Sequence, residues 1–466
     1  MWRRQDQHKD QTVKGNLNRP GPLWSRTIAG YSAWFLLRVS LAWFHGCEEI
    51  SHEHDDCPME CIEIMTRTFK HPVPAAFLLL LLFLTAAIAD ESSPSPETFR
   101  IGQFNIWEMS TTKITEIDAN GVGRNEQLLA AAEIIREVSP DILIINEIDH
   151  DYKALANGED LVFNARRFND LYLNQGDRPL DYRYAYAAPC NTGILSGRDL
   201  NNDGFTATSK NLGQREHGSD CYGYGLYPGQ YSMAILSNYP LDAAAARSFQ
   251  KFRWMDLPDN LIPPGWFSED ELSIYRLSSK SHWDVPVQIG GKRIHLLVSH
   301  PTPTGYDGPE NLNGRRNHDE NGMWVHYIDD DSVLVDDSGN RAGLAEGESF
   351  IILGDLNADP GGEVLVSGQR SIDQLLTHKR ILPTGRFMTS EGAQHGREPG
   401  PPDFIERHTV GWEGGGFRID YILPSVDLRP IGGGVYWPET SSDPVGAAGA
   451  EKASDHHMTW LDIQLD

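Results

Sequence analysis

Two polar residues that suit catalysis follow an apolar run near the middle of the second half of the chain. The run 350–353 stops abruptly at Gly-Asp-Leu-Asn, which places Asp355 and Asn357 two positions apart. Residues i and i+2 of extended backbone point to the same side, so a carboxylate and an amide would emerge together at the end of a buried strand. Asp and Asn are also common turn formers, and this stretch alone leaves a turn and a site equally open.

Five further stretches place polar side chains in or beside an extended run. They carry Asn105 after 99–104, Asn146 and Glu147 after 142–145, His300 after 292–299, Asp420 within 417–423, and Asp455 and His456 before a final strand over 457–465. Hydrolysis of a phosphoester needs an activated water, neutralised phosphoryl oxygens and help for the leaving oxygen. Carboxylate and amide oxygens suit Mg²⁺ or Mn²⁺, and a His beside a carboxylate suits proton transfer. The six stretches together favour this chemistry more than any one residue does.

The order of these blocks resembles that of the endonuclease/exonuclease/phosphatase superfamily, whose familiar member is deoxyribonuclease I. The blocks span 99–465, and Gly-Asp-x-Asn with a terminal Ser-Asp-His is a specific combination. The resemblance implies an α/β fold, a four-layer sandwich of two mixed β-sheets packed face to face with outer helices. Its active site would lie at one end of the sandwich, where strand-end loops from both sheets meet. Every block except Asp420 falls at a predicted strand end, which fits that arrangement.

The resemblance also implies roles for individual residues. Asn105, Glu147 and Asp455 would hold the Mg²⁺ or Mn²⁺ ion. His456 would be the general base or the phosphate-binding group, and Asp420 would be the carboxylate that orients it. Asp355 would polarise the attacking water. Asn357 would form a hydrogen bond to the transition state, and His300 would contact the scissile phosphate. The division of labour between Asp355 and His456 stays open at this point.

Several neighbouring residues have two readings. Arg315 and Arg316 would either clamp a phosphate in bidentate fashion or start a solvated helix face. Lys280 and His282, just before a predicted strand, are either substrate contacts or structural residues. His457 would point to the opposite face of its strand from His456, and we interpret it as structural.

A long Gly-, Asn- and Asp-rich stretch over 187–230 interrupts the alternating pattern. Its centre places Asp199, Asn201 and Asp203 at positions 1, 3 and 5 of a calcium loop, with Gly204 at position 6. Position 12 is Lys210 rather than Glu, so a regular EF-hand is not expected. The stretch predicts either a partial loop for a structural Ca²⁺ ion or a solvated turn.

The 466 residues are 39% hydrophobic and 10% aromatic, which supports a sizeable core. A net charge of -26 argues against nucleic-acid binding through a basic face. It does not exclude a hydrolase, because divalent cations can bridge an acidic site to phosphate. We expect one catalytic domain over 90–466, with insertions at the active-site rim near 187–230, 304–345 and 384–416.

The first 89 residues differ in composition from the rest. The stretch 65–89 has basic residues, a short Leu- and Phe-rich core and Ala87-x-Ala89, which predicts a signal peptide with no stable membrane anchor. The preceding 1–64 is then expected to be a non-native extension, and the protein to be secreted or periplasmic. In such an oxidising compartment, Cys190 and Cys221 suggest one disulfide, with two free thiols as the alternative.

Together these features predict a secreted, divalent-metal-dependent phosphoester hydrolase that acts as a monomer. Its substrate would be nucleic acid, a nucleotide or a lipid head group. The alternative is a non-catalytic extracellular binding protein on the same scaffold. The presence of every catalytic residue type disfavours that alternative.

Overall fold

Two mixed β-sheets with helices on their outer faces form the described part of the chain. The computed structural model describes residues 97–395, 405–412 and 415–465. Within them the strands are β1 Thr98–Met109, β2 Ile142–Ile148, β3 Tyr184–Tyr186, β4 Ser232–Ser237, β5 Arg247–Ser248, β6 His282–Ile289, β7 Lys292–Ser299, β8 Ser349–Asp355, β9 Val410–Trp412, β10 Gly415–Phe417, β11 Asp420–Pro424, β12 Arg429–Val435 and β13 Thr459–Gln464. The predicted signal peptide and N-terminal extension lie outside the described residues.

The helices of the same residues are mostly short. They are α1 Thr111–Ile114, α2 Glu126–Val138, α3 Tyr152–Ala156, α4 Phe163–Phe168, α5 Arg215–Ser219, α6 Glu269–Leu272, α7 Leu312–Ile328, α8 Asp373–Leu376 and α9 Pro444–Ala453. A π-helical turn, Asn169–Leu173, follows α4, and 3₁₀ turns occur at Ser209–Asn211, Trp254–Asp256, Gly392–His395 and Ile405–Arg407. None of the described helices has the length and apolar character needed to cross a membrane.

The two large sheets each combine parallel and antiparallel neighbours. The first has the order β12-β13-β1-β2-β4-β3, with β1 and β2 parallel. The second has the order β11-β8-β7-β6-β5, with β7 and β8 parallel. A separate two-stranded ribbon pairs β9 with β10.

Three apolar clusters separate four layers, and this confirms the predicted sandwich. The central cluster joins inward residues of both sheets, such as Ile101 of β1 and Leu353 of β8. A second cluster packs Trp324 of α7 against the outer face of the five-stranded sheet. The third packs α2 and α9 against the outer face of the six-stranded sheet. The order is therefore helix, sheet, sheet, helix.

The alternation of side chains carries several polar residues into the space between the sheets. Odd-numbered residues of β1 face inward, so Gln103 and Asn105 continue the face begun by Ile101. The same rule turns Asp355 of β8 inward after Leu353. One end of the core is consequently polar although its walls are ordinary buried strands.

The helix α2 has apolar residues at helical spacing, and Leu128, Ala131, Ile135 and Val138 of this set are buried. The Asn125 side chain caps its N-terminus by accepting a hydrogen bond from Leu128 N at 3.2 Å. The helix ends at Ser139, which has a left-handed φ of 52°. Other boundaries were wrong: β1 continues to Met109 instead of ending at Asn105, and Asp420 begins β11 instead of lying mid-strand.

The predicted disulfide between Cys190 and Cys221 is not formed in the structure. Both residues are buried free thiols. The sulfur of Cys190 lies 3.1 Å from Thr192 Oγ1, whereas Cys221 donates to the carbonyl of His217 at 3.0 Å. The two sulfurs are thus held by different partners, and the disulfide expected for Cys190 and Cys221 in an oxidising compartment was wrong.

Candidate active site

A buried histidine–aspartate pair lies at the polar end of the inter-sheet space. Asp420 opens β11 directly opposite Asp355, the last residue of β8. His456 Nδ1 lies 2.9 Å from Asp420 Oδ2, and both side chains are buried. Burial alone would lower the pKa of His456, but the carboxylates of Asp420 and Asp355 outweigh it and raise the pKa to about 10. The imidazole is therefore a stable cation with a fixed orientation.

Asp355 is the residue on which the other site residues converge. Its Oδ2 accepts a hydrogen bond from Asn105 Nδ2 at 2.9 Å and lies 3.3 Å from His300 Nε2. The same oxygen lies 3.8 Å from His456 Nε2. Burial would raise the pKa of Asp355, but the charge of His456 and the bond from His300 lower it below its usual range. Asp355 is thus held as an anion inside the pocket.

Asn105, inside β1, and Glu147, near the end of the parallel strand β2, lie side by side. Asn105 Nδ2 is 3.3 Å from Glu147 Oε1, and Glu147 Oε2 accepts a hydrogen bond from Glu108 N at 2.9 Å. Glu147 has a left-handed φ of 65°, where the β1–β2 and β2–β4 registers shift. Such a conformation is costly for a residue other than glycine and is often found at functional sites.

The amide oxygen of Asn105 makes this corner suitable for a divalent cation. Asn105 Oδ1 is buried and has no hydrogen-bond partner among the described residues, although a buried acceptor normally has one. It adjoins the Glu147 carboxylate, so a neutral and an anionic oxygen are available together. Mg²⁺ and Mn²⁺ prefer this kind of donor set.

A second group of possible ligands is the cluster Asp355, Asp420 and His456. One ligand atom from each lies within 4.8 Å of the others, a spacing that suits a metal ion. Two observations favour the Asn105–Glu147 corner instead. The oxygen of Asn105 needs a partner, whereas His456 Nδ1 is already bonded to Asp420. The proton in that bond excludes coordination by Nδ1 and leaves Nε2, 3.8 Å from Asp355 Oδ2, as the nitrogen of His456 that could bind a metal.

Asp455 approaches the site through the segment that carries His456. Ser454 Oγ donates to Asn105 O at 2.7 Å and accepts from Trp107 N, which fixes this segment against β1. The Asp455 carboxylate is exposed and accepts a hydrogen bond from Trp412 Nε1 at 3.1 Å. The segment of Asp455 is thus anchored to β1 through Ser454, whereas the Asp455 carboxylate is bonded to Trp412 of β9, and its role as a metal ligand stays a prediction.

Asn357 reaches the site by a different route from the one predicted. β8 ends at Asp355, and Asn357 has a left-handed φ of 50°, so the two side chains do not share a strand face. Asn357 N donates to Asp355 Oδ1 at 3.0 Å, and its side-chain amide donates to Pro301 O at 3.1 Å. The interpretation as a turn is correct, and the role of Asn357 in catalysis stays a prediction.

Gln103 and Asn146 complete the buried network. Sequence analysis named Asn146 beside Glu147 without giving it a role, and it did not select Gln103. Gln103 Nε2 donates to Asp420 Oδ1 and to Asn146 Oδ1, both at 2.9 Å. Asn146 Oδ1 also accepts from Asp355 N at 3.3 Å. The available signal was strand alternation, because Gln103 lies two positions before Asn105 on the same face of β1.

The α7 helix positions the loops that carry His300 and Asn357. Asn317 Nδ2 lies within hydrogen-bond distance of three backbone carbonyls, those of Thr302, Leu356 and Asn357. Glu320 accepts from Ser279 N at 2.5 Å and from Thr302 N at 2.6 Å. These contacts are buried, so the helix acts as a polar support behind the pocket.

Both readings of Arg316 were wrong. The side chain is 5% exposed, and its guanidinium donates to Leu277 O, Tyr275 Oη and Tyr222 O. It therefore neither clamps a phosphate nor forms a solvated helix face. Arg315 is also engaged in backbone contacts, with its Nε 3.1 Å from Glu310 O.

Three more basic residues have clear positions. His282 is fully buried between Ser278 Oγ and Glu320 O, which makes it structural. His457 stacks on Trp437 with ring centroids 3.8 Å apart, and burial lowers its pKa to about 3. Lys280 is buried, and its pKa is lowered by burial against the charges of Glu320, Asp355 and Glu147. Its Nζ lies 3.4 Å from Pro301 O, the carbonyl that also accepts from the side chain of Asn357.

The proposed calcium loop is a compact turn on the surface. Asp199 accepts hydrogen bonds from Asp203 N at 3.1 Å and Gly204 N at 2.8 Å. Asn201 Nδ2 donates to Asp203 Oδ2 at 3.0 Å. The turn brings all three predicted ligands together, and the presence of Ca²⁺ stays a prediction.

Comparison with known proteins agrees with this fold. The chain matches the model of the Endonuclease/Exonuclease/phosphatase family over residues 102–456. It therefore belongs to the endonuclease/exonuclease/phosphatase family. No curated protein matches the chain.

Solved structures similar to the chain are distant from it. An endonuclease/exonuclease/phosphatase from Beutenbergia cavernae DSM 12333 has 14% identity and a TM-score of 0.44, covering 79% of this chain and 72% of that one. A family protein from Leptotrichia buccalis C-1013-b has 14% identity and a TM-score of 0.41, covering 78% and 99%. Sphingomyelinase C from Streptomyces griseocarneus has 14% identity and a TM-score of 0.37, covering 79% and 100%. Similarity at this level gives no information on substrate.

Proposed function

We propose that the chain is a secreted, divalent-metal-dependent phosphoester hydrolase. The observation that carries this proposal is the buried chain of contacts from Asp420 through His456 to Asp355, beside the Asn105 oxygen that lacks a partner in the described part of the chain. A cationic imidazole, a carboxylate anion and a cation-suited corner are the groups that phosphoester hydrolysis requires.

Asp355 would orient and polarise the attacking water. Its pKa is below the usual range, so it is an anion at neutral pH and accepts a hydrogen bond from that water. Its position next to His300 and Asn105 restricts the direction from which the water attacks. Asn357 N, bonded to the other carboxylate oxygen at 3.0 Å, keeps the carboxylate from rotating.

His456 would act as a proton donor toward the phosphoryl group. Its pKa of about 10 keeps Nε2 protonated at neutral pH, and Asp420 fixes the ring through Nδ1. A fixed cationic donor stabilises negative charge that grows on a phosphoryl oxygen in the transition state. His300 and Lys280 would supply further positive or polar contacts to the same group.

Asn105 and Glu147 would hold the Mg²⁺ or Mn²⁺ ion, with Asp455 from the neighbouring segment as a third ligand. A bound divalent ion supplies neutralisation of charge on the phosphoryl oxygens. Glu108 N and Ser454 Oγ hold Glu147 and the Asn105 backbone in place. The chain thus fixes both oxygen donors before an ion binds.

The test compares two adjacent histidines. His456→Ala should abolish Mg²⁺-dependent hydrolysis of a generic phosphodiester, because the cationic donor is lost. His457→Phe keeps the ring that stacks on Trp437 and should retain turnover per folded molecule. Unchanged turnover of the His456 variant would defeat the mechanism and favour a binding protein.

The substrate class is tested by a panel of phosphoesters. DNA, RNA, nucleotides, sphingomyelin and phosphoinositides would be assayed with Mg²⁺, Mn²⁺ and Ca²⁺. We propose that at least one of these phosphoesters is hydrolysed with Mg²⁺ or Mn²⁺. Export rests on the signal-peptide pattern at 65–89, and N-terminal sequencing of the exported protein should find a start near residue 90.

A further inference from the structure

Arg418 is a buried arginine whose donors are not satisfied by the described residues. Its side chain is 5% exposed, and both Nε and Nη2 are buried without a hydrogen-bond partner in that part of the chain. Arg316 has the same exposure but donates from all three of its nitrogens. A buried guanidinium without acceptors is strongly unfavourable, so Arg418 calls for an anion that its described neighbours do not supply.

The carboxylate beside Arg418 does not meet this need. Asp359 Oδ2 accepts a hydrogen bond from the backbone N of Arg418 at 2.7 Å, and Oδ1 accepts from Gly361 N at 2.7 Å. The face of the guanidinium is 4.5 Å from the ring of Tyr421. Stacking on a ring covers the face of a guanidinium and leaves its N–H edge free to bind an anion.

A second arginine converges on the same point. A Cβ atom placed on Gly385 would lie 3.2 Å from Arg418 Nη1 and 3.4 Å from Arg407 Nη1. Glycine at this position therefore leaves space that both guanidinium groups border. The pKa of Arg418 is lowered by burial and also by the charge of Arg407, whereas the charge of Asp359 raises it. The side chain of Arg407 is 28% exposed, and its Nε lies 3.7 Å from Glu406 Oε1.

We propose that Arg418 and Arg407 form a phosphate-binding subsite next to the active site. Two planar guanidinium groups at one point suit the oxygens of a phosphate dianion, and the unsatisfied Nε and Nη2 of Arg418 are the donors that such an anion would engage. The subsite borders the active site along the chain, because Arg418 lies two residues before Asp420 and Asp359 two residues after Asn357. The phosphate is either free inorganic phosphate or a second phosphoryl group of the substrate, and only the latter source rests on the proposed hydrolysis.

Direct binding tests the subsite without relying on activity. Inorganic phosphate would be titrated calorimetrically into the full chain at constant ionic strength, with EDTA present to keep divalent ions out of the active site. Gly385→Asp places a carboxylate between the arginines, and Arg418→Gln removes one of them. Each should weaken phosphate binding by about tenfold or more, because charge-assisted hydrogen bonds are lost or already occupied.

Matched variants separate this effect from misfolding and from net charge. Gly449→Asp adds the same charge in α9, where a Cβ would meet no described atom within 4 Å, and it should bind phosphate like the wild type. Gly385→Ala fills the space with a single methyl group and should also weaken phosphate binding. This smaller substitution keeps the test possible if the larger variants fail to fold. Absence of phosphate binding by the wild type, or equal binding by the Gly385 variants, would overturn the proposal.

Kinetics then identify the source of the phosphate. Two substrates that differ by one additional phosphate would be compared in wild type and in Gly385→Asp. A rise in KM for the doubly phosphorylated substrate alone assigns the subsite to substrate, and an unchanged KM with lost phosphate binding assigns it to free phosphate. If no substrate is hydrolysed, the proposed function fails while the calorimetric result on the subsite stands.

Discussion

His456 and Asp420 form a hydrogen bond of 2.9 Å that is buried at the end of the space between the two sheets. The bond links the segment before β13 to the first residue of β11, so it joins the six-stranded sheet to the five-stranded one. Gln103 of β1 donates to the other oxygen of Asp420 at 2.9 Å. The orientation of the imidazole is thus fixed by the packing of the two sheets on each other.

Asp420→Asn should remove the anion that keeps His456 protonated. The pKa of His456 should fall from about 10 toward its ordinary value of 6.5, and turnover should drop by about 10²–10⁴-fold. As the pH rises, the rate of the variant should begin to fall at a lower pH than the rate of the wild type, because its His456 loses the donated proton at a lower pH. A series of kcat/KM measurements from about pH 5 to about pH 10 checks this.

The same substitution has a signature in stability. A raised His pKa in the folded state stabilises the protein fully below about pH 6.5, and that stabilisation is lost as the pH rises through about 10. The difference in unfolding free energy between wild type and Asp420→Asn should therefore be largest at low pH and shrink above neutrality. Chemical denaturation in EDTA measures it, and a difference independent of pH would contradict the assignment.

The strand ends could be predicted from sequence because a buried strand is a continuous apolar run. That rule located Asp355, Glu147 and His300 directly. It missed Gln103, because an inward-facing polar residue inside a strand resembles any other break in the apolar pattern. The partners of a buried polar group are set by the opposite sheet, and no local pattern contains that information.

Long-range packing also explains the other differences from the sequence-based expectations. Arg316 looked like a surface residue, yet backbone carbonyls from separate loops surround it because α7 packs behind the site. Cys190 and Cys221 formed a plausible pair by count alone. Their different surroundings in the fold follow from the path of residues 187–230, a segment that has no simple periodicity.

Glu147→Gln should weaken metal binding and abolish metal-dependent activity. The substitution keeps the shape of the side chain but removes the negative charge that lies beside the amide of Asn105 at the proposed metal corner. We expect Mn²⁺ affinity to fall by about 10–100-fold, the range typical of altered metal environments. Calorimetric titration of Mn²⁺ measures this.

The His456→Ala variant serves as the discriminating control for the metal position. If the ion lies at the Asn105–Glu147 corner, this variant should bind Mn²⁺ nearly as tightly as wild type. If the ion lies at the cluster of Asp355, Asp420 and His456, the variant should lose binding. Loss of Mn²⁺ binding by this variant would assign the ion to the cluster instead of the Asn105–Glu147 corner, and the three cluster residues would then need new roles.

Asn317→Ala should loosen the loops behind the active site. Its amide lies within hydrogen-bond distance of the carbonyls of Thr302, Leu356 and Asn357. Truncation removes this donor from Thr302 O and Asn357 O, whereas Leu356 O keeps Asn321 Nδ2 at 3.2 Å. We expect a loss of about 1–3 kcal/mol in unfolding free energy, together with a lower kcat because Asn357 and the loop after His300 shift.

Asn313→Ala is the control for this prediction. Asn313 lies on the same helix, and its side chain donates to Gly305 O in an exposed contact. Its truncation should therefore change stability and kcat little. Equal effects of the two substitutions would show that Asn317 has no special positioning role.

Calcium should raise the melting temperature if the surface turn at 199–204 binds it. Asp199, Asn201 and Asp203 present their oxygens within one turn, and cation binding to the folded state alone stabilises that state. Asp203→Ala should remove the calcium-dependent rise. Asp118→Ala is the matched control, because Asp118 caps a similar exposed turn by accepting from the backbone at 120 and 122. The Asp118→Ala variant should keep the calcium-dependent rise in melting temperature. If millimolar Ca²⁺ does not raise the melting temperature of the wild-type protein, the calcium loop is ruled out at practical affinities.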